Sequence, residues 1–419
     1  MTVSWLDYWA AGLFAVAVLH TFAASYFHGL SQRFPSHAGL FHLLGEVEVV
    51  FGFWALVLIL VIAFAEGSGP SVHYLESRNY TEPLFVFAIM VVAASKPILH
   101  CATSVVNVLT FVLHRALKLP MAPINFWLLL SVIPLLGSLI TEPAAMTLAA
   151  LLLSRQVFSQ SNDVAFKYAT LGVLFVNVSV GGALTSFAAP PILMVAGAWS
   201  WDTATVFQLL GLKVIAVVVV NAFALTLFWR KQIPVISAAR TEVMPWIVQV
   251  VHGLFLLGVV VFAHHLVVFL SLLLFFMGYT QAYNRYQQPL MLKEALLVAF
   301  FLAGLVVLGG LQQWWLQPLL ESLDVGWIYF GATALTAMTD NAALTYLGSL
   351  VQGTSDAFKY ALVAGAITGG GLTVIANAPN PAGLAILREH FPAQGVSAWL
   401  LFKAALLPTG VAIVVFYFL

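Results

Sequence analysis

Two stretches place a carboxylate where the chain is otherwise apolar. Thr141-Glu142-Pro143-Ala144-Ala145-Met146-Thr147 returns as Thr339-Asp340-Asn341-Ala342-Ala343-Leu344-Thr345. An acid at membrane depth costs about 2.5–3.5 kcal/mol and marks function by default. The plainer alternative is that each only caps the helix that follows it. Asp340 is the stronger candidate of the two, and capping and ion binding can coexist. Each acid is followed by a helix broken at a glycine pair: Gly181-Gly182-Ala183-Leu184-Thr185 in the first case and Gly369-Gly370-Gly371-Leu372-Thr373 in the second. Glycines and prolines unwind helices and free carbonyl oxygens, hard ligands that suit a small cation. The second break, running through Thr373, Asn377, Pro379 and Asn380, brings amides where the first has Ala189 opposite Asn377. The expected cation and proton site is therefore lopsided: Asp340, Thr339, Asn341, Gly370, Thr373, Asn377 and Asn380, with Thr141, Glu142 and Thr185 as the weaker half. A small cation would rest chiefly on Asp340 and Asn377.

Other ionisable residues divide by position. Glu294 adjoins Lys293 and is expected to snorkel. Glu46 and Glu48 lie two apart on a helix and cannot face one partner, so only one is a candidate for a proton path. Lys167 and Lys359 begin the two broken helices and read as interfacial anchors. Lys96 and Lys213 lie deep enough to neutralise an acid. His252, His264 and His265 read as satisfied or interfacial. Cys101 is the single cysteine, so neither an intrachain disulfide nor a cysteine-based metal cluster is possible. No zinc, nucleophile-elbow or phosphate-loop motif is present, which argues against an enzyme and against any bound cofactor.

The elements that must hold these residues are set by composition. Hydrophobic residues make up 62% of the 419 and charged residues 8%, against about 25% charged in soluble chains. The bilayer is the solvent for most of this surface. Sixteen basic residues balance sixteen acidic ones, giving no reason to expect nucleic acid. Met1 to Trp9 lacks a basic n-region and a cleavage site, so the run 9–27 reads as a retained span. Further spans are expected near 49–64, 84–94, 99–113, 124–139, 165–180, 204–229, 247–263, 266–277, 295–311, 326–336, 357–368 and 398–418. Those touching Thr141, Gly181, Thr339 and Gly369 look too short to cross alone.

Four matches in the same order make the chain a duplication: the two acid stretches, Ala165-Phe166-Lys167-Tyr168-Ala169 with Ala357-Phe358-Lys359-Tyr360-Ala361, the glycine breaks, and a looser pair at Glu46–Val50 and Glu294–Val298. Residues 1–230 form the first repeat, with roughly one extra helix by spacing, and 242–419 the second. The linker 231–241 is the most basic loop, which places it in the cytoplasm. An odd number of crossings per unit would then invert the halves. The expected fold is all-α and polytopic, with two inverted repeats, each carrying a re-entrant hairpin and a broken helix.

Thr339 to Leu347 followed by Gly369 to Asn380 resembles the ion transporter superfamily. Within it the chain is similar to the Na+/H+ antiporter family related to NhaD-type and ArsB-type carriers. The resemblance implies hairpin tips at Thr141–Pro143 and Thr339–Asn341, a homodimer of scaffold and transport domains, and elevator-like alternating access. The dicarboxylate carriers of that superfamily have Ser-Asn-Thr at the tips, whereas this chain has acids, which would repel an anionic substrate. Pro143, where the second half has Asn341, weakens a second cation site. The expected activity is exchange of a monovalent cation, Na+, for protons in a multi-pass bacterial inner membrane protein, with lipid as its surroundings. The rival is a Na+- or H+-coupled anion, metalloid or carboxylate carrier of the same fold.

Overall fold

A computed structural model describes residues 4–234, 244–392 and 395–419, and every regular element among them is helical. Among the described residues, eight helices are long and apolar enough to cross a bilayer, and five more apolar helices are shorter. The protein is a multi-pass membrane protein. The basic linker lies largely outside the described residues, which resume at Met244.

The first half begins with α1 (Trp5–Phe22), ending earlier than the run 9–27 suggested, and continues with α2 (Val47–Glu66), α3 (Thr81–Ala93) and α4 (Lys96–Leu117). Then come α5 (Met121–Ile140), α6 (Glu142–Leu153), α7 (Val164–Gly181) and α8 (Pro190–Trp199). The half closes with α9 (Leu212–Phe228), which extends a helical run starting at Thr203. The second half comprises α10 (Trp246–Val261), α11 (Leu266–Ala282), α12 (Leu292–Gly309), α13 (Val325–Thr336) and α14 (Asn341–Ser349). It ends with α15 (Asp356–Gly369), α16 (Asn380–Leu387) and α17 (Ala398–Ile413).

Duplicated sequence yields duplicated local structure. Asp163 caps α7 by accepting from the Phe166 N–H at 3.1 Å, and Ser355 caps α15 by accepting from the Phe358 N–H at 3.2 Å. The threonine after each glycine break ties it to the segment that leads into the acid of its own half. Thr185 Oγ1 donates to the Ser138 carbonyl at 2.7 Å, and Thr373 Oγ1 to the Ala337 carbonyl at 2.8 Å. Both bonds occupy a freed backbone carbonyl, as hydrocarbon demands.

The halves also differ. The helices entering Thr141 and Gly181 are not short: α5 has 20 residues and α7 has 18, about 30 and 27 Å at 1.5 Å per residue. Pro123 lies in the first turn of α5, where a missing N–H is no loss, so the helix starts earlier than the apolar run suggests. Only the second half has the short arms expected of both, with 12 residues in α13 and 14 in α15. Between α2 and α5 the first half has three helices, Ser68–Glu76, α3 and α4, where the second half has only Gln313–Glu321 between α12 and α13. The excess is two helices rather than the one that spacing suggested.

Two packing features position the site. A Cβ on Gly304 would lie 2.3 Å from the Gly52 nitrogen, so α2 and α12 cross with their backbones in contact. Deeper in the first half, Asn177 Nδ2 donates to the carbonyls of Leu130 at 2.8 Å and Val218 at 3.0 Å. Asn221 Nδ2 donates in turn to Asn177 Oδ1 at 3.1 Å and the Pro408 carbonyl at 3.2 Å. These two buried amides join α5, α7, α9 and α17.

Candidate functional site

The two acid-bearing tips and the two breaks meet. Helix α6 packs on α16, and α14 packs on α8, so each tip's outgoing helix lies along the outgoing helix of the other half's break. The cross-connection is chemical as well: Asn377 Nδ2, from the second break, donates to Glu142 Oε2, from the first tip, at 2.7 Å. Both side chains are buried, with Glu142 at 0% and Asn377 at 1% exposure. Glu142 Oε1 and Asn377 Oδ1 have no protein partner.

Although the sequence pairs Glu142 with Asp340, the local geometry pairs it with Asn341. Glu142 and Asn341 each open their helix. Each also lies over the second glycine of its own break: a Cβ on Gly182 would sit 2.4 Å from Glu142 Cγ, and one on Gly370 would sit 2.8 Å from Asn341 Nδ2. Asn341 is fully buried, and neither its Oδ1 nor its Nδ2 has a partner. Asp340 instead takes the N-cap. Its Oδ1 accepts from the N–H groups of Ala342 at 2.8 Å and Ala343 at 3.3 Å. Capping is thus one role of Asp340, satisfying the orphan donors of α14. At the first tip the cap position is Thr141, whose side chain makes no capping bond and whose Oγ1 is buried without a partner. Thr141 has φ +74°, a left-handed value that favours glycine.

Asp340 also lines a small cavity of about 20 Å³ together with Glu48, Phe301, Asn377, Ala378 and Pro381. Asn377 connects the two tips, since it bonds Glu142 and lines the cavity that Asp340 and Glu48 share. Glu48 belongs to α2, outside both tips and both breaks, and spacing alone could not choose between it and Glu46.

The remaining expected site residues have structural partners. Thr339 Oγ1 donates back to the Leu335 carbonyl at 3.1 Å, turned onto the end of α13. Asn380 Nδ2 donates to the carbonyls of Gly370 at 2.8 Å and Thr373 at 2.9 Å, while its Oδ1 is buried and unpartnered. Ser138, which carries no motif, is as engaged as any expected residue. Its Oγ donates to the Gly181 carbonyl at 2.7 Å and accepts from the Leu184 N–H at 2.9 Å.

The lysines serve elsewhere. Lys167 Nζ donates to the His390 carbonyl at 2.7 Å, and Lys359 pairs with Asp356 at 3.3 Å. Lys213 does not neutralise an acid: its Nζ donates to Tyr360 Oη at 2.8 Å and lies over that ring, where the ring's negative face stabilises the ammonium. His252 is satisfied, as expected, by the Val248 carbonyl at 2.7 Å and Gln287 at 2.8 Å. Among the described residues, the ion pairs are Lys359–Asp356 and His390–Glu389, so none involves Glu48, Glu142 or Asp340.

A polar approach reaches the first break. Two adjoining cavities, of about 620 and 210 Å³, share Thr81, Glu82, Gly197 and His264. The smaller ends on Ser186 and Phe187, next to Asp202. The Thr205 hydroxyl and N–H hold the Asp202 carboxyl below its ordinary pKa, so this wall stays anionic.

The chain matches the family described as "Putative Na+/H+ antiporter" over residues 5–419. No curated protein matches the chain.

Proposed function

As the chain belongs to that Na+/H+ antiporter family over residues 5–419, we propose that it exchanges Na+ for protons at the junction of its tips and breaks. The carrying observation is the group Glu48, Asp340 and Glu142, three acids held together with Asn377 and with no ion-paired base among the described residues. Desolvated like charges cannot all persist unneutralised. A cation or protons must supply the missing charge, and competition between them for the same oxygens is exchange.

The rest of the reading follows from that competition. The ligands are Asp340 and Asn377, with Glu142, Asn341 and Thr141 close by; Gly370, Thr373, Asn380, Thr185 and Thr339 hold the backbone around them. The approach ending at Ser186 serves one side of an alternating-access cycle. The reciprocal packing of α6 on α16 and α14 on α8 supports a body of two inverted repeats with re-entrant tips, moving elevator-like against a scaffold in a homodimer. A bacterial cytoplasmic membrane is the setting we infer, and the chain needs no cofactor for this work.

The test is proton flux in proteoliposomes challenged with a panel of salts, paired with thermal unfolding in NaCl, choline chloride and sodium succinate. Na+ should stabilise the purified protein saturably, as RT ln(1 + [L]/Kd) requires. Lowering the pH should weaken that stabilisation, because protons occupy the same carboxylates. Stabilisation that tracks succinate and ignores the cation would transfer the assignment to an anion carrier.

A further inference from the structure

Of the three acids, Glu48 is the one that the proposed exchange leaves without a role of its own. It comes from α2, whose backbone is pinned against α12 at Gly52 and Gly304, and it faces Asp340 across the 20 Å³ cavity. A carboxylate snorkelling to an interface would point away from a second acid. This one lies on the wall of a small cavity already lined by another.

The third oxygen is oriented by a neighbour. An amide presents two donors on one side and an acceptor on the other. The donor side of Asn377 is engaged, since Nδ2 gives its hydrogen to Glu142 at 2.7 Å. Oδ1 is therefore the end left without a partner, in a residue 1% exposed that also lines the cavity. Buried carbonyl oxygens without a donor are uncommon in folded proteins and call for an explanation.

We infer that Glu48, Asp340 and Asn377 Oδ1 form one site for a single dehydrated small cation, Na+ or Li+, with Glu48 as its ligand from outside the tips and breaks. The inference rests on the antiport reading and adds to it a residue and a size limit. A space of about 20 Å³ is room for one water-sized sphere, so the ion enters without its hydration shell. Hard oxygen donors replace that shell, as small cations require. A larger ion such as K+ would have to displace Phe301 or Pro381, which form the apolar wall. Glu142 acts as a positioning residue here: by taking the amide hydrogen of Asn377 it turns Oδ1 toward the ion.

The experiment measures half-saturation by Li+, Na+, K+ and Rb+ in thermal unfolding of detergent-purified protein, and in proteoliposome proton flux. Wild type should respond to Li+ and Na+ and not to Rb+. Glu48→Gln should raise the Na+ half-saturation at least tenfold and narrow the Na+/K+ difference. Glu48→Asp keeps the charge but withdraws it by one methylene, so a rise of a few fold with the ion order preserved is expected. That variant also carries the test if the glutamine protein does not fold. A wild-type Na+ half-saturation in both variants would overturn the role of Glu48 and leave the antiport reading intact. Absence of any Na+ response in wild type would overturn both.

Discussion

Gly182→Ala is the perturbation whose consequence can be worked out most directly. The added Cβ would lie 2.4 Å from Glu142 Cγ and 2.5 Å from Oε1. Carbon atoms pack best at about 3.5–4.0 Å, so the glutamate must retreat by more than about 1 Å. It cannot do so in place, being fully buried with its other oxygen bonded to Asn377 at 2.7 Å. A retreat of that size carries the Asn377 bond past the distance at which it counts as one. A hydrogen bond to a charged group contributes about 1.5–3 kcal/mol. Its loss, which also frees Asn377 to rotate, should raise the Na+ half-saturation roughly tenfold to a hundredfold. The assay is Na+-dependent thermal unfolding, with proton flux as a second readout. Gly12→Ala, whose Cβ would meet nothing within 4 Å, is the control. If the effect runs through the Glu142–Asn377 bond, adding Gly182→Ala to Asn377→Ala should change little, the non-additivity expected of partners in one contact. Unaltered Na+ half-saturation in Gly182→Ala would refute the argument that this glycine exists to seat the carboxylate.

Two further outcomes separate charge from backbone geometry at the tips. Asp340→Asn should keep α14 capped, since asparagine caps helices as well as aspartate does, yet abolish Na+-dependent proton flux; flux persisting with normal pH dependence would reduce Asp340 to its cap. Thr141→Gly should relieve left-handed strain worth about 1–3 kcal/mol, offset by about 0.5–1 kcal/mol of chain entropy, so unfolding at an equal or higher temperature is expected, and a clear fall in thermal stability would show that the threonine side chain is needed where it stands.

Much of this arrangement was legible in the sequence because duplication writes each important stretch twice. The repeated Ala-Phe-Lys-Tyr-Ala and Gly-Gly-x-Leu-Thr runs marked both broken helices, and their caps and threonine bonds proved equivalent. What a linear comparison cannot show is where a side chain lands after one residue more or less of turn. The shared Ala-Ala aligns Glu142 with Asp340, but capping moves Asp340 outside its helix and gives Asn341 the place that Glu142 has in the first half. Ser138 was invisible for a related reason. A lone serine in an apolar run has no signature, and its importance comes from two backbone groups more than forty residues away in sequence, at Gly181 and Leu184. Glu48 was visible as an acid, but choosing it over Glu46 required the crossing of α2 and α12. Lys213 misled because depth in the membrane suggested an acidic partner, whereas a tyrosine hydroxyl and ring were enough.

The amide ladder of Asn177 and Asn221 bears on how such a protein can change shape. Its four hydrogen bonds tie α5, α7, α9 and α17 at a depth where water could not replace a broken partner. Sliding any one of these helices past another would strand amides and carbonyls in hydrocarbon, at several kcal/mol for each group left alone. The four helices therefore behave as a single rigid tile, and it draws on both halves of the chain, since α17 belongs to the second and α5, α7 and α9 to the first. Shape change is confined to the seams around that tile. The seams richest in unpartnered polar atoms are those carrying Glu142, Asn341 and Asn377, so the places where the protein can yield are the places where it holds its charge.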